Sequence, residues 1–129
     1  MRILIALLLA VLSLNALAAK DSDTFQALLE REWEFRINEF PSLARDNGIA
    51  GYSDRIAHVS EKDQLRRYQF WKQLKQELAT VSCERLEREE CINYRIFERQ
   101  MHQFLADYET RAYLIPFTSD WGFYMAWNR

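Results

Sequence analysis

Two histidines and two cysteines are the side chains in this 129-residue chain whose types suit metal binding or nucleophilic chemistry. His58 and His102 are 44 residues apart, whereas a zinc site needs three or four ligands at closely arranged positions. The chain also has no HExxH motif, no glycine-rich phosphate loop and no nucleophile elbow. We therefore predict no catalytic, cofactor-binding or metal-ligating residue in this segment.

Three carboxylates crowd one predicted helix start, at Glu87, Glu89 and Glu90. Paired carboxylates could serve acid–base chemistry, but carboxylates in a first helical turn also complement the helix dipole. The second interpretation is favoured, and these residues are assigned to capping and solvation.

The first residues have the organisation of a secretory signal. Arg2 supplies a positive start, Ile3 to Ala19 is an apolar stretch of 17 residues, and Ala16-Leu17-Ala18 offers small residues for cleavage. A stretch of that length is at the lower limit for a transmembrane helix. We predict a signal peptide at 1–18, cleavage after Ala18 or Ala19, and an exported chain that is periplasmic or secreted, without stable membrane insertion. A lipoprotein would need cysteine after the cleavage point, and Ala19 is there instead; an uncleaved anchor is the alternative.

An even pair of cysteines in an exported chain suggests a disulfide. Cys83 and Cys91 would lie about 12 Å apart in one continuous helix, too far for a bridge. A Cys83–Cys91 disulfide therefore requires Cys83 to precede the helix that holds Cys91. It would be structural, because the CxxC spacing of redox sites is absent. Two reduced or buried thiols are the alternative.

The elements that would position these residues are helices, so the predicted fold class is all-α. The main helices are expected near 24–39, 61–79 and 88–113, with a short turn at Pro41–Arg45 and a loop over 48–59. Asp23 with Gln26, and Ser60 with Asp63, form potential capping boxes. The order of the helices in space stays open, because a long loop does not force antiparallel neighbours.

Each helix carries an apolar stripe at spacings of three and four residues, and these stripes are expected to face one another. The first stripe is Phe25, Leu28, Leu29, Trp33, Ile37 and Phe40; the second is Leu65, Tyr68, Trp71, Leu74 and Leu78; the third is Tyr94, Phe97, Met101, Phe104, Leu105, Tyr108 and Ala112. The basic residues of the second helix are predicted to form a solvated face: Arg66, Arg67, Lys72 and Lys75.

The C-terminal residues combine an apolar run at 114–117, a turn at 119–122 and a cluster of large apolar side chains. That cluster is Trp121, Phe123, Tyr124 and Trp127. An exposed patch of this kind is unusual in a soluble protein. The cluster is expected either to fold back onto the helices or to pack against a continuation of the chain.

Composition narrows the function classes. Seventeen basic residues against 19 acidic ones give a formal charge of −2, so nucleic acid, which requires a basic face, is not an expected partner. An aromatic content of 14% argues against disorder.

Several segments, taken in order, resemble the bacterial family known as domain of unknown function 885. They are Phe25–Ala44, Gly51–Arg55, the helix start at Ser60, Ile92–Phe97, Arg111–Pro116 and Ser119–Phe123. The likeness extends over about 100 residues of the segment that follows the signal. Members of that family are several times longer, mostly helical and often exported, and they resemble gluzincin-type zinc metallopeptidases with a His-Glu-x-x-Pro-Gly-His-His motif near the C-terminus.

The resemblance implies that residues 19–129 are the helical N-terminal segment of a larger domain, truncated at its C-terminal end. The implied function is that of a scaffold segment in an exported zinc-metallopeptidase-like protein, with zinc bound downstream by residues that this segment lacks. Its partner would be the remainder of its own chain, contacted through Trp121, Phe123, Tyr124 and Trp127. The alternative is a complete small periplasmic helical module that binds a partner without catalysis.

Overall fold

The structure is a computed structural model that describes the backbone of residues 2–115 and the side chains of residues 18–115. Its helices are α1 (Arg2–Glu39), α2 (Pro41–Asp46), α3 (Glu61–Leu78) and α4 (Arg88–Glu109), with short 3-10 turns at Cys83–Arg85 and Ala112–Leu114. No strand occurs between residues 2 and 115. The all-α prediction is confirmed.

Helices α3 and α4 pack side by side and run antiparallel. Near the start of α3, Tyr68 stacks on Tyr108 near the end of α4, with ring centroids 4.6 Å apart. At the other end of α3, the carbonyl of Leu78 accepts a hydrogen bond of 3.4 Å from the hydroxyl of Tyr94, close to the start of α4. The two helices therefore form a hairpin.

Helix α1 completes a three-helix bundle whose directions are up, down and up. It is antiparallel to α3, because Arg31 bonds Glu77 near the end of α3 and Glu39 bonds Arg66 near its start. It is parallel to α4, because Phe25 packs on Tyr94 with ring centroids 5.9 Å apart. Helix α2 and the long loop after it thus connect α1 and α3 as neighbouring antiparallel helices, an arrangement that the sequence had left open.

The prediction that the first helix starts at residue 24 is wrong, because α1 continues from Arg2 through to Glu39. Asp23 is exposed in the middle of the helix, and the Gln26 amide donates to Glu90 on α4 instead of capping a helix end. No glycine or proline interrupts residues 2–39, and the leucine- and alanine-rich start has high helix propensity. The predicted end is confirmed: Pro41 stops α1 and opens α2.

The boundaries of α3 and α4 follow their predicted signals. The Ser60 hydroxyl accepts the Asp63 backbone N–H and donates to the Asp63 carboxylate; this bond, with that from Arg66, lowers the pKa of Asp63 to about 2. Helix α4 ends four residues before the predicted position 113, because Arg111 adopts a left-handed conformation with φ of 57°. A non-glycine residue in that region breaks the helix and turns the chain.

The core joins all three long helices, and the predicted stripes of α3 and α4 supply most of it. Its buried side chains are Phe25, Leu28, Trp71, Leu74, Leu78, Val81, Leu86, Phe97, Met101 and Leu105. Three predicted stripe positions are wrong, because Trp33, Leu65 and Ala112 are exposed. Within the described side chains, no helix has an apolar stretch that is long enough to cross a bilayer.

The Cys83–Cys91 disulfide is confirmed, with the two Cα atoms 4.9 Å apart. Cys83 opens the first 3-10 turn and Cys91 lies in the first turns of α4, as the bridge required. The disulfide therefore fixes the connection between α3 and α4 onto the start of α4.

Reduction of this disulfide should lower the free energy of unfolding by about 2.5 kcal/mol, the chain-entropy value for so short a loop. Urea unfolding followed by circular dichroism, with and without reductant, measures the difference. A Cys83→Ser/Cys91→Ser double variant should reproduce the reduced value and respond to reductant no further. Thiol labelling of the denatured oxidised protein should find no free cysteine; two labelled thiols would contradict the bridge.

Candidate functional site: an aromatic groove above buried ion pairs

A groove of about 750 Å³ opens between the C-terminal end of α1, the first half of α3 and the second half of α4. Six aromatic side chains line it: Phe40, Tyr68, Trp71, Phe104, Tyr108 and Tyr113. Its polar lining consists of Arg36, Gln64, Arg67, Gln100, Gln103 and Asp107. We call this site the aromatic groove.

Stacked rings organise the wall of the aromatic groove. Trp71 stacks on Phe104 with centroids 4.4 Å apart, and Tyr68 stacks on Tyr108. Tyr113, in the 3-10 turn after α4, adds a third layer on Tyr108 at 5.7 Å. Offset stacking of this kind holds the rings in fixed positions, so the groove has a defined apolar surface.

Arg67 forms the polar end of the aromatic groove and is 3% exposed. Its guanidinium donates to the Glu39 carboxylate at 2.8 Å and to the His58 carbonyl at 2.5 Å, and it lies over the Phe40 ring. The prediction that Arg67 belongs to a solvated face is therefore wrong. The reason is that the acceptors come from α1 and from the loop before α3, and neither is adjacent in sequence.

Glu32 is a second buried charge, 1% exposed, in the C-terminal third of α1. Arg36, one turn later, pairs with it at 3.1 Å. Burial raises the pKa of Glu32, while Arg36 and the Trp71 indole N–H partly oppose that rise. Among the described residues, Oε1 of Glu32 and Nε1 of Trp71 form no hydrogen bond of normal geometry.

Asp21 anchors the middle of α1 and is 8% exposed. Its carboxylate accepts from Arg85 Nε at 2.7 Å and from the Ser82 backbone N–H at 3.1 Å. The hydrogen bond from Arg85 leads the causes that lower the pKa of Asp21. The carboxylates of Asp21 and Glu39 thus hold α1 to the rest of the bundle at two levels.

A Glu32→Gln substitution should stabilise the protein progressively as the pH rises from 4 to 7. Because the folded-state pKa is raised, the favourable contribution of Glu32 is full below its unfolded pKa and is lost as the pH rises through the folded value. Glutamine does not titrate and carries no such loss. The difference in unfolding free energy between the variant and the wild type, measured in urea at several pH values, should therefore grow with pH. Glu34→Gln, on the exposed face of the same helix, is the control; a constant difference for Glu32→Gln would contradict the buried-charge interpretation.

The two histidines contact α3 at separate places. His58 is exposed in the loop and contributes only its carbonyl to Arg67, whereas the His102 ring lies 3.3 Å from Lys75 Nζ. Their contacts on α3 are eight residues apart, about 12 Å along the helix. Within the described residues, no group of three or more His, Cys, Asp or Glu side chains could hold a metal ion.

Of the three carboxylates at the start of α4, Glu90 has a structural role. Glu90 accepts hydrogen bonds from Ser22 at 2.6 Å and from Gln26 at 3.3 Å, which lower its pKa and join the middle of α1 to the start of α4. Glu87 occupies the cap position without a side-chain capping bond. The aromatic cluster at Trp121, Phe123, Tyr124 and Trp127 lies outside the described residues.

The spacing of inward-facing residues along α1 indicates where its buried carboxylates lie. The inward positions follow a heptad pattern, at Asp21, Phe25, Leu28, Glu32, Phe35 and Glu39. A search for apolar residues alone passes over the three acidic positions. Extending the spacing from Phe25 and Leu28 in both directions would have found them.

Comparisons with known proteins give no assignment: no family model, no curated protein and no solved structure matches the chain.

Proposed function

We propose that this chain is a helical scaffold segment of an exported zinc-metallopeptidase-like protein related to the domain of unknown function 885 family. The bundle would form a wall of the larger molecule, and the zinc motif would lie in the remainder of the protein. The proposal takes its family from the sequence segments that begin at Phe25 and its role from the aromatic groove.

The scaffold role is supported by the contacts of the charged groups around the aromatic groove, which are bound to other groups of the bundle. Arg67 is bound to Glu39 and His58, and Arg36 is bound to Glu32. The Arg67 contacts tie α3 to α1 and to the loop before α3, and the Arg36–Glu32 pair lies within α1, while the groove surface is built largely of stacked aromatic rings. A catalytic site instead places a nucleophile, a base and an electrostatic stabiliser around one reacting atom. The groove is therefore better suited to packing against apolar protein.

The partner that we propose for this face is the remainder of the protein's own chain. The 3-10 turn at Ala112–Leu114 lies on the rim of the aromatic groove, and Leu114 and Ile115 are 61% and 65% exposed. The residues that follow include the aromatic cluster at Trp121, Phe123, Tyr124 and Trp127. Apolar surface of this extent favours contact with further protein.

The sequence of the coding DNA after the Arg129 codon tests the proposal directly. Several hundred further codons that encode His-Glu-x-x-Pro-Gly-His-His would support the peptidase-like scaffold. A stop codon at that place would contradict it and favour the alternative, a small module whose groove binds a separate partner.

Export is the second component of the proposal, with cleavage after Ala18 or Ala19. Either cleavage would place Asp21 in the first turn of the shortened α1, where a carboxylate complements the helix dipole. The intact mass of the protein recovered from the producing bacterium should therefore match a chain that starts at residue 19 or 20. A mass that still includes Met1 would contradict cleavage.

A further inference from the structure

The charged groups that line the aromatic groove differ in whether the bundle pairs them. The guanidinium of Arg36 is paired with Glu32 at 3.1 Å, and that of Arg67 is paired with Glu39 at 2.8 Å. Asp107 also lines the groove, and within residues 18–115 its carboxylate forms no ion pair. The bundle therefore neutralises both cations of the groove and leaves the Asp107 carboxylate to bind a partner.

The stack of tyrosine rings beside Asp107 is a surface that attracts cations. Tyr108 lies between Tyr68 and Tyr113, with ring centroids 4.6 and 5.7 Å away. The face of an aromatic ring carries partial negative charge, so it attracts ammonium and guanidinium groups. At the Tyr68 end of the stack, the ammonium of Lys72 already lies over the ring, 5.7 Å from its centroid. At the other end, no lysine or arginine of the described residues lies over the ring of Tyr113.

The aromatic groove has room for a long side chain beside these groups. Its volume of about 750 Å³ is within the range of about 300–1,000 Å³ that is usual for ligand sites. The rings can cover the methylene stem of a cationic side chain, whose charged end keeps polar contacts. A guanidinium suits this place better than an ammonium, because it is planar, stacks on aromatic rings and binds a carboxylate through two N–H groups. Gln103, one turn before Asp107 on the groove rim, offers a further acceptor.

We propose that an arginine from the remainder of the protein's own chain enters the aromatic groove, where its guanidinium binds the Asp107 carboxylate beside the ring of Tyr113. The inference rests on the proposed function for the source of the arginine. If purely apolar protein covered the groove, the carboxylate of Asp107 would lose water without a replacement, which is costly for an ionised group. A paired guanidinium replaces that water, so the face that packs on the groove carries a positive charge at this position.

An NMR titration of the 129-residue chain at low ionic strength tests the charge of the occupant. The first probe is N-acetyl-arginine methylamide, and the second is its citrulline counterpart, in which a neutral urea group of nearly the same size replaces the guanidinium. The arginine probe should shift amide signals of residues 103–113, and it should bind about threefold or more tightly than the citrulline probe. The corresponding lysine probe should bind less tightly than the arginine probe; equal or tighter binding would overturn the assignment of a guanidinium.

An Asp107→Asn substitution removes the charge with little change of shape, and it should make the arginine probe bind as weakly as the citrulline probe. Asp46→Asn is the matched control, because Asp46 is an exposed acidic residue of α2 that does not line the groove, and it should leave both affinities unchanged. Equal affinities of the arginine and citrulline probes for the unaltered chain, or arginine binding that Asp107→Asn does not weaken, would overturn the inference. A stop codon after the Arg129 codon would overturn the proposed function, and with it the source of the arginine, without changing the probe affinities. The two failures are therefore distinguishable.

Discussion

A Phe25→Ala variant should lose about 3–5 kcal/mol of unfolding free energy, the usual cost of removing a large buried aromatic side chain. Phe25 is fully buried, and its ring packs on Tyr94 and Phe97 of α4 with centroids 5.9 and 6.1 Å apart. It is therefore a main apolar connection between α1 and the hairpin. Urea unfolding followed by circular dichroism measures the loss.

Trp33→Ala is the matched control, because Trp33 lies on the same helix and belongs to the same predicted stripe. Trp33 is 36% exposed, and the guanidinium of Arg36 lies over its ring, 5.5 Å from the centroid. We expect this variant to lose about 1 kcal/mol or less. If Phe25→Ala does not fold, Phe25→Leu provides the measurement with a smaller cavity. Equal losses at positions 25 and 33 would contradict the orientation of α1.

An Arg67→Ala variant should lose about 3 kcal/mol, because it leaves the His58 carbonyl without its side-chain donor and leaves the partly buried Glu39 carboxylate to Arg66 alone. The substitution removes three contacts, which are those with Glu39, the His58 carbonyl and the Phe40 ring. Helix α1 and the loop before α3 should loosen together. Unfolding in urea gives the magnitude, and amide hydrogen exchange shows which segments lose protection.

The control for Arg67 is its neighbour Arg66, which binds the same Glu39 carboxylate but has a side chain that is 47% exposed. Solvent screens exposed ion pairs, so Arg66→Ala should lose less than about 1 kcal/mol. Arg67→Met keeps most of the side-chain volume, so its loss of unfolding free energy measures the contribution of the charge apart from that of packing. Similar losses for Arg66→Ala and Arg67→Ala would show that burial does not distinguish the two arginines.

Local sequence signals were sufficient to predict the helices but not to predict which charged residues are buried in the core. Pro41 and Ser60 determine helix ends through their own backbone and hydroxyl groups, and both were predicted correctly. The spacing of Cys83 and Cys91 even predicted that the fourth helix starts between them. These features depend on contacts within a few residues.

The burial of Arg67 could not be predicted in the same way, because it depends on partners from elsewhere in the chain. Arg67 meets Glu39 from α1, 28 residues away. The aromatic groove was missed for a related reason: its rings were assigned to core stripes, but the bundle leaves Tyr68, Phe104 and Tyr108 half-buried. The groove forms between three helices, and the residue pattern of any single helix does not indicate how the three are placed relative to one another.

Two carboxylates of α1 also determine its axial register. Asp21 and Glu39 bind cationic partners outside α1, which are Arg85 in the first 3-10 turn and Arg67 on α3. If α1 slid by one heptad along the hairpin, Glu32 would enter the place of Phe25 among Tyr94 and Phe97, and Glu39 would leave Arg67 without its carboxylate. A seam of apolar residues alone would tolerate such sliding far better, since one large apolar side chain replaces another. The acidic positions thus exclude shifted alignments of a helix that the aromatic residues alone would hold less selectively.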